Sequence, residues 1–151
     1  MTNHTDSIHK RIELKAPVSR VWRALTDYRE FSAWFRVTLE APFVAGEACS
    51  GLLGYPGYEH LRMEVVVQRI EPEHLFSFTW HPYALDASRD YSDETPTLVE
   101  FRLEGSPDGT LLTVTESGFD RLPPERRAEA FRMNEGGWTQ QVKNIAAHVS
   151  P

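Results

Sequence analysis

At 151 residues the chain suits one domain of about 150 residues, and 40% hydrophobic with 25% charged residues exclude a disordered or fibrous chain. A formal net charge of −6 and a pI near 5.5 disfavour a nucleic-acid surface, because phosphate binding needs a basic patch. No apolar run approaches the ~20 residues of a membrane span, and the single cysteine, Cys49, excludes an internal disulfide and a multi-thiolate metal site.

The polar N-terminus does not read as a secretory signal, so a cytoplasmic address is expected, with residues 1–6 a flexible tail. From Ser7 to Lys15 the parity of Ile8, Ile12 and Leu14 predicts a strand, broken on that face only by Lys10. Pro17 then suits a helix start. Val18, Val21, Trp22 and Leu25 fall at i, i+3, i+4 and i+7, which is one buried helical stripe. Asp27 with Glu30 three residues later resembles a capping box and opens a second short helix carrying Tyr28, Phe31, Trp34 and Phe35.

Short strands and turns are expected over 37–57, punctuated by Pro42, Gly46, Gly51, Gly54, Pro56 and Gly57. Alternation of Leu61, Met63, Val65 and Val67, and then of Phe76, Phe78 and Trp80, predicts a hairpin turning at Glu71-Pro72-Glu73. The stretch 81–96 has little periodicity and reads as a loop of about fifteen residues, a length usually functional or mobile. A second hairpin pairs Val99, Phe101 and Leu103 with Leu112, Val114 and Glu116 across Pro107-Asp108-Gly109. A long helix begins at Pro123-Pro124-Glu125, with Phe131, Trp138, Val142, Ile145 and Val149 near one face. Gly136-Gly137 interrupts it at about 1 kcal/mol per glycine. Either close packing or room for a ligand explains that pair. Helices bracketing successive hairpins predict an α+β fold with an antiparallel sheet.

The motifs of common chemistries are missing. None of the six histidines pairs at helical spacing or with a cysteine, so no metal site is expected; His81, at the end of an aromatic strand, merits most attention. No nucleophile elbow and no phosphate-binding glycine pattern occurs. Cys49 has Glu47 nearby and no basic neighbour, as a buried inert thiol would. Parity turns Glu100 towards solvent and Glu116 inwards. An inward carboxylate is costly unless paired or hydrated. It is read either as a salt bridge to Arg62 or Arg121 or as a polar anchor in a cavity.

Several stretches occur together in an order that resembles the activator of HSP-90 ATPase homologue-like family, within the START and polyketide-cyclase-like superfamily. They are PVSRVWRALT at 17–26, FSAWF at 31–35, RIEPEHLFSFTW at 69–80, TLVEF at 97–101, TLLTVTESGF at 110–119 and Gly137-Trp138. The resemblance covers about residues 7–149. It implies a helix-grip fold: a curved antiparallel sheet of about six strands around a long C-terminal helix, with two small helices, forming a single START-like domain over 7–150.

On that layout Phe76, Phe78, Trp80, Val99, Phe101, Leu112, Val114 and Glu116 are placed on the concave face. Trp34, Phe35 and Phe43 belong near the small helices, and Phe119, Trp138, Gln141 and Val142 come from the opposite side. The ligand-binding set expected is Trp34, Phe35, Phe43, Phe78, Trp80, Phe101, Val114, Glu116, Phe119, Trp138, Gln141 and Val142. Seventeen aromatic residues and this layout favour a module that binds a hydrophobic or aromatic small molecule. The alternatives are a protein-interaction module, contacting a chaperone or a second copy as a homodimer, and a cyclase or hydrolase using Glu116 with Arg62 or His81. No catalytic residue, metal or cofactor is assigned.

Overall fold

The computed structural model describes residues 6–86 and 88–150. Of the expected tail, residues 1–5 lie outside that range. The Asp6 carbonyl accepts hydrogen bonds from the backbone N–H groups of Gly118 and Phe119, both at 3.1 Å.

Strand β1 (Ser7–Leu14) buries Ile8 and Leu14 as its alternation requires. Helix α1 (Val18–Thr26) follows, with Pro17 just outside it in an extended conformation. Asp27 caps α2 (Tyr28–Phe35), accepting from the Arg29 N–H at 2.9 Å. The capping box is half made. Glu30 does not return to the cap but takes Arg20 at 2.6 Å, Arg23 at 2.8 Å and His148 at 3.0 Å, because these side chains lie on the elements packed beside it.

The remaining strands are β2 (Val37–Leu39), β3 (Ala48–Leu53), β4 (Arg62–Glu71), β5 (Leu75–Trp80), β6 (Thr97–Ser106) and β7 (Gly109–Ser117). A 3₁₀ turn (Phe119–Arg121) leads into α3 (Pro124–Val149), which runs unbroken through the two glycines. The sheet is antiparallel with order β1-β7-β6-β5-β4-β3-β2. Its seven strands are one more than the sequence suggested, since three residues of β2 are too few to show a period. Gly51 is where β2 presses on β3: a Cβ there would sit 1.9 Å from the Thr38 carbonyl oxygen.

The sheet curves for a local reason. Between Val67 and Arg69 the pairing of β4 with β5 slips, leaving Gln68 as an extra residue, and such a bulge bends the strand that carries it. The concave face collects Phe76, Phe78, Val99, Phe101, Leu103, Leu112 and Val114, all buried. Against it lie α1 through Val21, Ala24 and Leu25, and α3 through Ala130, Trp138, Ile145 and Val149. Among the described residues no helix is long and apolar enough to cross a membrane.

Candidate functional site

The concave face is finished in two ways. Near α2 the rings close on one another: Phe31 lies 4.9 Å from Trp34, 4.9 Å from Phe35 and 5.4 Å from Phe43, centroid to centroid. Phe76 stacks on Phe101 at 6.0 Å, and the Trp34 indole N–H donates to the Ala24 carbonyl at 2.8 Å. Deeper along α3, Trp34, Phe101, Val114 and Val142 pack around a gap with no room for a water.

At the far end of β5 the packing opens into a cavity of about 680 Å³. This is within the range of about 300–1,000 Å³ typical of small-molecule sites. Its apolar floor is Phe35, Met63, Trp80 and Trp138. Leu53, Tyr55 and the start of β4 form one wall, residues 81–86 with Arg89 and Tyr91 a second, and Asn134, Gly137, Gln140 and Gln141 of α3 the third. The rim is mixed in charge, carrying Arg62 and Arg89 beside Glu64 and Asp86.

Glu116 is fully buried behind this floor. Its Oε1 accepts from the Trp138 indole N–H at 2.8 Å and Asn134 Nδ2 at 2.9 Å. Its Oε2 accepts from the Trp80 indole N–H at 2.7 Å and the Thr97 hydroxyl at 2.5 Å. The expected salt bridge to Arg62 or Arg121 is not what satisfies it. Arg62 pairs with Glu40 on the exposed face, and neither Arg62 nor His81 is a partner of the carboxylate.

Burial pushes the Glu116 carboxyl above its usual range, while Thr97, Trp80, Trp138 and Asn134 oppose that rise by bonding the charged form. The two indoles can only donate, whereas the Thr97 hydroxyl and the Asn134 amide each carry an oxygen that can accept the hydrogen of a neutral carboxyl. With both indole N–H groups committed to Glu116, Trp80 and Trp138 are fixed 5.8 Å apart with planes 32° from parallel. Glu116 therefore orients the two rings and is not itself a wall of the cavity.

Two further devices hold the walls. The Tyr55 hydroxyl donates to the Phe35 carbonyl at 2.8 Å and accepts from Gln141 Nε2, tying the β3–β4 connection to α2 and α3. Burial raises the Tyr55 pKa, with the Gln141 hydrogen bond and the Arg36 charge acting against it. On the opposite side Arg126 of α3 donates to the Pro82 and Tyr83 carbonyls, both at 3.0 Å, and to both Glu94 oxygens at 2.7 and 3.0 Å. Its guanidinium also lies 4.8 Å from the Tyr91 ring centroid. Hydrogen bonds from Arg126 outweigh burial and hold the Glu94 carboxyl below its usual range. This staple ties Pro82, Tyr83, Tyr91 and Glu94 to α3.

Of the twelve residues expected at a ligand site, Phe35, Trp80, Trp138 and Gln141 line the cavity. Trp34, Phe43, Phe78, Phe101, Val114 and Val142 belong to the closed packing instead, because facing rings fill the space before a ligand could. Phe119 packs on Phe131 at 5.2 Å beside the start of α3. Sequence reading missed Tyr55, Met63, Asn134 and the 82–85 segment. The inward parity of Met63 and the length of the loop were the signals that could have found them. His81 does line the cavity, and its Nδ1 is buried without a hydrogen-bond partner among the described residues. Cys49 is buried, donates to the Ala41 carbonyl at 3.1 Å, and has its thiol pKa raised by burial. No cluster of metal-ligating side chains occurs among the described residues.

Residues 15–150 match the family model described as activator of Hsp90 ATPase homolog 1-like protein. No protein of curated function matches the chain. Among solved structures, the chain is 26% identical to DynU16, a putative protein in the dynemicin biosynthetic locus, at a TM-score of 0.73 over 95% of this chain and 46% of that one. It is 21% identical to protein MLL2253 from Mesorhizobium loti, at a TM-score of 0.74 over 94% of this chain and 95% of that one. A third structure, the Aha1 dimer from Colwellia psychrerythraea, is 16% identical at a TM-score of 0.70, covering 95% of each chain. The last two likenesses establish the helix-grip fold.

Proposed function

The chain belongs to the activator of Hsp90 ATPase homolog 1-like family, and from that premise we propose that it is a cytoplasmic protein holding a hydrophobic or aromatic small molecule between its sheet and its C-terminal helix. The observation that carries this reading is the cavity of about 680 Å³ floored by Phe35, Trp80 and Trp138. The chain closes the rest of its concave face with its own rings and leaves this part open. A buried carboxyl group holds the two indoles in place, and burying one on neutral hydrogen-bond donors, with no cation among those partners, is a costly way to add stability alone. The likeness to DynU16, a protein of a biosynthetic locus, accords with a small-molecule role.

Self-association is the second reading, carried by the Colwellia psychrerythraea Aha1 neighbour described as a dimer. Native and denaturing mass spectra of freshly purified protein test both. The proposal expects a co-purifying adduct of a few hundred daltons, the size such a cavity takes. A bare mass, with no uptake from a panel of apolar and aromatic compounds, overturns it. The native spectrum reads the mass of the assembly at the same time.

A further inference from the structure

Two adjacent glycines in the middle of a 26-residue helix call for a physical reason, since only proline is a poorer helix former. The usual reason is a neighbouring backbone that leaves no room for a Cβ. That reason fails here. A Cβ built on Gly136 or on Gly137 meets nothing within 4 Å. The two positions then part company. Gly137 borders the cavity, on the stripe of α3 that also carries Asn134, Trp138 and Gln141, whereas Gly136 does not line it.

We propose that Gly137 is a specificity-determining residue of the cavity: its missing side chain leaves the helix wall bare beside Trp138, so that the bulk of a bound molecule can lie against the backbone. The inference rests on the reading of the cavity as a ligand site and says which wall sets the ligand's width. Asn134 and Gln141, one turn away on either side, are each bonded to protein groups, so they do not shift aside to make that room. A Cβ at 137 enters space that no other group occupies, at the border of the cavity.

The test uses the uncharged fluorescent probe N-phenyl-1-naphthylamine with four variants. Gly136→Ala and Gly137→Ala are both expected to raise the melting temperature by about 2–4 °C, the shift that a glycine-to-alanine helix gain gives in a domain of this size. Gly137→Leu is expected to fold and to weaken probe binding about tenfold or more, while Gly136→Leu binds as the wild type does. A lower melting temperature for Gly137→Ala, or a Gly137→Leu that fails to fold where Gly136→Leu folds, shows that the space is not open and overturns the inference. Equal probe affinity in Gly137→Leu and the wild type overturns it too, leaving the ligand reading intact. A wild-type chain that does not bind the probe is a distinct result, which removes the ligand reading and this inference with it.

Discussion

At one end of the concave face Phe31, Trp34, Phe43, Phe76 and Phe78 meet ring to ring; at the other, Phe35, Trp80 and Trp138 bring comparable aromatic bulk and border a cavity. The residue types are the same, so composition does not decide which end opens. What differs is the cover. Over the closed end α2 lies directly on the sheet and is pinned by the Trp34 bond to Ala24. Over the open end the cover is a stapled loop and the stretch of α3 that carries Gly137, and the cavity lies between them above Trp80 and Trp138. The rings close on one another where α2 covers them and border open space where the loop takes its place.

The largest expected effect breaks that comparison at its closed end. Phe78→Ala removes a fully buried ring in contact with Phe76, Trp80 and Phe101 and is expected to cost about 3–5 kcal/mol in chemical denaturation. Leu85→Ala on the half-exposed cavity wall is expected to cost about 1 kcal/mol or less. Equal losses at the two sites would mean that the open end is packed as tightly as the closed one.

A smaller effect sharpens the comparison at the carboxylate behind the floor. In Glu116→Gln the amide can serve Thr97, but its nitrogen cannot accept from the Trp80 indole, and a buried donor left without a partner costs about 1–3 kcal/mol. The pH dependence has a definite sign. Because the folded Glu116 carboxyl is raised by burial, the folded chain keeps a proton that the unfolded chain releases. Its contribution to stability is fully present below the usual carboxylate range and is lost as pH rises through the raised value. Glu94 and Glu30 run the other way. Arg126 lowers the first; for the second, hydrogen bonds from His148, Arg20 and Arg23 outweigh burial. Their contributions are present above the usual range and are lost as pH falls. The stability difference between wild type and Glu116→Gln is therefore expected to shrink as pH rises, while the common acid loss from Glu94 and Glu30 cancels. A difference that stays constant with pH would show that Glu116 titrates alike in the folded and unfolded chain.

The fold was legible in the sequence wherever a period ran for two turns or more, as in β4 to β7 and in the helical stripe of α1. The inward turn of Glu116 was legible from parity alone, because an alternating strand allows only two faces. Its partners were not. Whether a buried carboxylate meets an arginine or two indoles depends on which strand end and which helix turn come together, and strand spacing does not encode that. The cavity was legible only in part. Phe35, Trp80, Trp138 and Gln141 lie on elements whose faces could be read, whereas Tyr55 and the 82–85 segment lie on connections placed by a few long-range bonds, to Phe35 and Gln141 for the first and from Arg126 for the second. The Gly136-Gly137 pair left packing and ligand room equally open until the empty space beside both residues was seen.

The division between a closed end and an open end is tested most directly by the indole N–H signals of ¹⁵N-labelled protein, followed by NMR during titration with N-phenyl-1-naphthylamine. Trp34 serves as the internal reference, since its N–H is buried against Ala24 in the closed packing. The account predicts that the Trp80 and Trp138 signals shift together and saturate while Trp34 stays in place. A shift of Trp34 with Trp80 and Trp138 unmoved would put the probe in the end described here as filled, and would contradict the account.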